Sequence, residues 1–383
     1  MPTRSAPRLS FFYAAIFLVI GVQLPFWPVW LAARGLGAVE IGAVMALGQG
    51  LKTLTTPLAG MLADRSGDRR RTMLALAAAG VVSFAVCLPA RGFAALAVLT
   101  ALTGACLSAL IPLGDNLALV AALGARLDYG RMRLWGTLAF ILATLLSGNA
   151  LAGRDADVIL YLLIGASAVL LVACQLLPRL AVPARAGLQA ARGTLLAPRF
   201  LVFLAAGALV HVSHSMYYAF GPLHWQALGF SSRTIALLWA EGAAAEIALF
   251  FWGAPLVLRC GALGLVVVGG AGGALRWAVN AITQDLALIA LAQLLHAPSF
   301  AVAHLGAMHF VAGHAPEEHS ATAQALYAAV CGVAAGVVVL GAGALYNAVG
   351  GGAYFAMSAL AAFGAALAVI LARGAEQAAP VKP

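Results

Sequence analysis

Long apolar runs, broken by short basic or Gly/Pro-rich segments, fill the sequence from end to end. Between those breaks the runs number twelve: 10–33, 39–62, 72–90, 93–120, 133–153, 158–177, 200–227, 233–257, 262–282, 286–311, 320–347 and 352–372. Each is close to or longer than the ~20 residues a helix needs to cross a membrane. The first run follows Arg4 and Arg8 as the apolar part of a signal peptide would. It is too long for that and continues into further runs, so it reads as the first helix.

Composition makes lipid the solvent. Of 383 residues, 63% are hydrophobic and 9% charged, against roughly 25% charged in soluble chains. The mean hydropathy is +0.98. A soluble enzyme, a nucleic-acid-binding domain and a disordered chain are excluded, because so few charges would leave large apolar patches in water. The 42 Gly and 16 Pro show no collagen-like period, and both are tolerated in membrane helices. The net charge of +9 reports orientation, not a nucleic-acid partner. With the N-terminus in the cytoplasm, sixteen Lys and Arg fall on the inner side and four (Arg34, Arg91, Arg154, Arg233) on the outer. Both termini are therefore expected in the cytoplasm.

The longest break, at 178–199, is basic and interrupted by proline. It predicts an N-terminal six-helix bundle over 1–178, a cytoplasmic linker over 179–199 and a C-terminal six-helix bundle with a short tail over 200–383. An all-α membrane protein of two pseudo-symmetric six-helix halves is the layout of repeat-built secondary transporters. Arg65-Ser66-Gly67 after the second run has an echo in Arg259-Cys260-Gly261 after the eighth.

Ionisable groups inside a membrane are costly and mark function by default. Within the runs they are Lys52, Asp115, Glu241, Glu246, Arg276, His211, His214, His296 and His304, with Arg133 at the edge of the fifth. Gln49, Lys52 and Thr56 recur at helical spacing and form one polar stripe. A buried ammonium there favours an anion, either a guest carboxylate or a permanent partner in Asp115. Glu241 and Glu246 lie roughly 140° apart around a helix, so only one faces inward squarely; Glu246 is the choice. His296, Phe300 and His304 follow a four-residue spacing that suits a relay on one face or plain core packing. Gln23 and Trp27 offer a hydrogen bond and a stacking face, or a core ring. His214 precedes Tyr217-Tyr218 and is placed on a cavity wall, with His211 packing. The five cysteines are isolated, and neither H-E-x-x-H nor G-x-S-x-G occurs. No metal site and no organic cofactor are expected.

The segment Gly60-Met61-Leu62-Ala63-Asp64-Arg65-Ser66-Gly67-Asp68-Arg69-Arg70-Arg71 resembles the gate signature of the major facilitator superfamily. Gly60 is expected to admit a neighbouring helix, Gly67 to make a tight turn, and Asp64, Arg65, Arg69 and Arg70 to form the cytoplasmic gate. In the second copy Leu258 stands where the Asp belongs. Further pieces narrow the resemblance to the phenylpropionate:proton symporter group, a relative of lactose permease: Leu24-Pro25-Phe26-Trp27-Pro28, Pro112-Leu113-Gly114-Asp115, Asp128-Tyr129-Gly130-Arg131-Met132-Arg133, Tyr217-Tyr218, Leu238-Trp239-Ala240-Glu241, Leu275-Arg276-Trp277 and Leu295-His296.

That resemblance implies substrate contact by Asp115 and Arg133, which otherwise form only a structural ion pair, and an aromatic platform at Phe140. It implies a substrate-facing cation at Lys52. It also implies proton coupling by Glu246, Arg276 and His296, with His304 as a further candidate. A second carboxylate that lactose permease carries after its histidine is replaced here by Ser299, which puts the proton on Glu246. The expected function is proton-coupled symport of a small aromatic or ring-bearing carboxylate by alternating access. The expected partners are that small molecule, protons and membrane lipid, the chain acting as a monomer in a bacterial inner membrane. Two alternatives stand: a proton symporter for a neutral sugar or nucleoside, and a proton-driven drug exporter. Against the exporter, 133–153 contains Gly136, Gly148 and Gly153 but no proline.

Overall fold

A computed structural model describes residues 5–125, 128–178, 197–252, 254–314 and 320–378. Most of the expected linker (179–196) lies outside the described residues, as do Arg4, Arg126 and Lys382, and the side chain of Leu258. The described residues are helical without a strand.

The described residues of every apolar run fall almost wholly on helix. The first part of the chain forms α1 (Ser5–Ala33), α2 (Ala38–Ser66), α3 (Arg69–Cys87), α4 (Phe93–Ser108), α5 (Leu110–Ala125), α6 (Tyr129–Leu151) and α7 (Asp157–Leu176). The second forms α8 (Pro198–Val212), α9 (Ser215–Ala227), α10 (Ser232–Trp252), α11 (Ala254–Ile282), α12 (Leu286–Leu294), α13 (Ala303–His314), α14 (Ser320–Val349) and α15 (Tyr354–Ala378). Several starts are fixed by one device. Asp68, Asp128 and Asp285 precede α3, α6 and α12, and each carboxylate accepts a backbone N–H three residues on. Such a cap is worth about 1 kcal/mol.

Among the described residues nine continuous stretches are long and apolar enough to cross a membrane. The last, Ala323–Gly374, is 52 residues long, far more than one crossing of a ~30 Å hydrocarbon core needs. It reverses at a 3₁₀ turn, Gly350–Ala353, where Gly350 has φ 54°. α2 is not among the nine, because Gln49, Lys52 and three threonines dilute its apolar surface. Leu54, Val82, Leu146, Val337 and Ile370 are among the large apolar side chains left exposed, as lipid-facing positions are.

The chain divides into two compact units, Met1–Ala184 with Tyr218–Ala240, and Arg185–Tyr217 with Glu241–Pro383. In the first, α1 is the centre and packs on α6 and α7, while α2 lies along α4. α1 and α6 touch backbone to backbone: a Cβ on Gly21 would stand 2.6 Å from the carbonyl oxygen of Phe140. Small residues make such close approach possible where no hydrophobic force draws helices together. In the second unit α11 packs on α15 and α13, and α8 on α15 and α14. Phe203 stacks on Phe310 at 4.0 Å within its core.

Two departures from the expected runs bear on the placement of the histidines. A break at Ser213–His214 separates α8 from α9. A π-helical turn, Ala297–Val302, separates α12 from α13, a feature frequent at functional sites. The repeat echo has a structural counterpart in Gly67 and Gly261, which both adopt positive φ, 66° and 63°.

Candidate functional site

In the first unit, Asp115 on α5 accepts hydrogen bonds from two tyrosine hydroxyls: Tyr13 on α1 at 2.6 Å and Tyr129 on α6 at 3.1 Å. Arg133, one turn after Tyr129, lies over the rings of Tyr13 and Phe17 at 5.3 and 4.6 Å. Its Nη1 is buried with no hydrogen-bond partner among the described residues. Asp115 and Arg133 thus share Tyr13 as a neighbour, one at its hydroxyl and the other at its face. Lys52 is half-buried on α2 and has no ion pair or hydrogen bond from its ammonium among the described residues. The alternative of a Lys52–Asp115 pair is not formed here. Phe140 is buried, its backbone against Gly21. Gln23 is half-buried, and Trp27 is a core ring that stacks on Trp30 at 4.8 Å and meets Phe84 edge-on.

At the gate, Asp64 pairs with Arg69, and Arg69 also donates to Asn116 on α5. The tie therefore joins α2, α3 and α5. Arg65 is exposed and Arg70 half-buried. Gly67 closes α2 in the left-handed conformation as expected. Gly60 departs from expectation: a Cβ there would meet nothing within 4 Å. Among the described residues no side chain or backbone atom fills that space.

In the second unit a charged chain is closed by geometry. Glu246 Oε1 is 2.7 Å from His296 Nε2, and Arg276 Nη1 is 2.7 Å from His296 Nδ1. Arg276 Nη2 donates to Gln293 at 2.6 Å. The guanidinium is wholly buried between the faces of Tyr217 and Trp277, at 4.6 and 4.5 Å. Because a guanidinium only donates, Nδ1 of His296 accepts. Its ring proton then sits on Nε2 and points at the Glu246 carboxylate. His296 bridges a fixed cation to a carboxylate through its two nitrogens.

His214 joins this group. Its ring is 6.0 Å from that of His296, and its Nε2 is 3.3 Å from Ser299 Oγ. The sequence groups it with the substrate contacts, yet the helix break at Ser213–His214 turns it toward α11 and the π-turn. A narrow cavity, about 10 Å³, is lined by His211, His214, Ser299, Phe300, His304 and Tyr327, among others. The π-turn alters the expected stripe. Phe300 still stacks on His296 at 5.4 Å, but the wider turn changes the register of α13, and His304 is an exposed side chain at the cavity wall.

Sequence reasoning missed Tyr13, Tyr129 and Gln293. Tyr129 and Gln293 carried a signal, one standing four residues before Arg133 and the other three before His296. It also missed a second tie in the first unit. Arg34, at the end of α1, pairs with Asp157 at the start of α7 at 2.5 Å and donates to the carbonyl of Leu88 after α3. Trp30 adds an indole N–H to the same carboxylate at 3.0 Å.

The family model described as the MFS_1 like family matches residues 7–363. The chain belongs to that family. This transporter is 31% identical over 369 residues to the "Probable 3-phenylpropionic acid transporter" of Escherichia coli (strain K12), covering 94% of this chain and 96% of the relative. It is also 31% identical over 331 residues to the "Maltose permease" of Geobacillus stearothermophilus, covering 83% and 82%. Among solved structures, the nucleoside transporter NupG superposes with a TM-score of 0.79 at 16% identity, covering 98% and 99%. The fold is thus that of membrane transporters, and the protein is a multi-pass membrane transporter and not an enzyme. The resemblance first carried by Gly60–Arg71 extends along nearly the whole chain.

Proposed function

We propose that this transporter is a proton-coupled symporter that imports a small aromatic or ring-bearing carboxylate by alternating access. In this reading it has twelve spans with both termini in the cytoplasm, and acts as a monomer in a bacterial inner membrane. The observation that carries the substrate class is Lys52, a half-buried cation whose ammonium has no partner among the described residues. An ammonium that has lost part of its hydration is stabilised by an anion. Arg133, stacked on rings with one buried nitrogen unpartnered among the described residues, supports the same class. The name of the Escherichia coli relative agrees with it. Proton coupling is assigned to Glu246, with His296 and Arg276 as the groups that hold and release its charge. When Glu246 gains a proton, its attraction for the His296 N–H weakens, and the bridge to Arg276 is free to rearrange.

A second reading, symport of a neutral sugar, draws on the maltose permease relative at equal identity. Thermal stabilisation of the purified transporter by aromatic acids, sugars and nucleosides separates the two. Lys52→Gln sharpens the test. Loss of one charge-assisted contact costs about 1.5–3 kcal/mol, roughly ten- to a hundredfold in affinity. That loss is expected for 3-phenylpropionate and not for its amide. Equal losses for both, or stabilisation by sugars alone, refute the carboxylate reading. Reporter fusions within 179–199 and at Pro383 should both read as cytoplasmic; an external signal at either refutes the topology.

A further inference from the structure

α2 and α4 meet along a ladder with the same four-residue step on both sides. Gly48 faces Thr100, Lys52 lies on Gly104, and the hydroxyls of Thr56 and Ser108 share a hydrogen bond at 2.9 Å. Only the middle rung carries a charge, and only there does a long side chain cross the partner helix. A Cβ on Gly104 would stand 2.7 Å from Lys52 Cε and 3.4 Å from its Cγ. The lysine stem occupies the space that any other residue at 104 would fill.

The helix around Lys52 does not hold the side chain by itself. Thr53, Thr55 and Thr56 each donate to the carbonyl four residues earlier, at 2.9, 2.9 and 2.7 Å, and Pro57 follows. Hydroxyl back-bonding and an internal proline both loosen a helix locally. No hydrogen bond fixes the ammonium from within α2. What fixes it is the surface beneath its stem, between the locked Thr56–Ser108 rung and the Gly48–Thr100 contact.

We infer that Gly104 is a positioning residue that sets where the Lys52 ammonium stands, and through it the preference of the transporter for carboxylates over their neutral analogues. The inference rests on the carboxylate reading of Lys52. Charge-assisted hydrogen bonds need N···O separations of about 2.7–2.9 Å. A displacement of several tenths of an ångström at Cε is carried to the ammonium one bond beyond. The atom that must move is near the end of a flexible side chain, so Gly104→Ala shifts the charge while the two helices keep their seat.

The test is a double-mutant cycle of Gly104→Ala and Lys52→Gln in the full-length transporter, with 3-phenylpropionate and 3-phenylpropanamide as probes. Gly104→Ala is expected to weaken the acid roughly tenfold and to leave the amide within about twofold. In the Lys52→Gln background it should leave acid and amide equally affected, because the charge whose position it sets is gone. Equal losses for acid and amide overturn the inference, as does an undiminished loss in the Lys52→Gln background. If Gly104→Ala alone fails to fold, recovery of folding by Lys52→Ala, which removes the stem, supports the same contact, and failure to recover overturns it. Should Lys52→Gln itself not distinguish acid from amide, the carboxylate reading falls. Should it distinguish them while Gly104→Ala does not, only the role of Gly104 falls.

Discussion

Away from the ion pairs at the ends of α3, the two units carry their ionisable groups in opposite ways. In the first, Asp115 is held by two hydroxyls, Arg133 rests on aromatic faces, and Lys52 stands by itself on Gly104. In the second, Glu246, His296, Arg276 and Gln293 form an unbroken chain of hydrogen bonds. A set of charges held by neutral groups keeps its capacity to bind something else. A chain that satisfies itself holds that capacity in reserve until one of its members changes charge. In the function proposed above, the first arrangement takes the guest and the second the proton.

The sharpest way to break that contrast is Glu246→Gln, which copies the neutral, protonated form and keeps the shape. Uphill accumulation driven by a pH gradient should fall to the passive level, while counterflow at equal pH persists and substrate binding loses pH dependence. Both readouts come from reconstituted vesicles. If the variant still accumulates substrate at the native rate, the proton travels elsewhere, with Asp115 or His304 next in line. Asp115→Asn should do the reverse and lose binding itself.

A smaller effect is expected from Tyr13→Phe, which removes one of the two hydroxyls on Asp115 and keeps the ring under Arg133. A hydrogen bond to a charged group is worth about 1.5–3 kcal/mol, so substrate affinity should fall roughly ten- to a hundredfold with the coupling of uptake to pH unchanged. A variant that binds normally but loses coupling would erase the division of labour between the units.

Much of the molecule is legible in its sequence. The apolar runs place the helices, since length and hydropathy alone demand them in lipid. Glu246, Arg276 and His296 come together as expected, because three charged or ionisable groups in neighbouring membrane helices have few other ways to be satisfied. What is not legible comes from backbone events inside apolar segments. The break at Ser213–His214 carries no proline or glycine of its own, and it redirects His214. The π-turn at Ala297–Val302 changes the register of His304 relative to His296. The open space at Gly60 and the occupied space at Gly104 look alike in a sequence, since a missing side chain does not announce what fills its place.

The smallest expected effect concerns the outer tie. Arg34→Gln removes the ion pair to Asp157 and weakens the bond to the Leu88 carbonyl. It should cost about 1–3 kcal/mol and lower the melting temperature by a few degrees, with affinity for 3-phenylpropionate unchanged. Lost affinity would mean that the tie and the Asp115 cluster are one system.

That tie has a counterpart at the far end of the same helix. α3 runs for 19 residues, about 28 Å at the helical rise. It is pinned at its start through Arg69 to α2 and α5, and at its end through Arg34 to α1 and α7. A rod clamped at both ends resists bending along its whole length, whereas α2 has Pro57 and three back-bonded threonines near its middle. The first unit is therefore a stiff beam laid beside a compliant one. Under the alternating access proposed above, flexure would collect in the compliant member, at the turn of helix that holds Lys52.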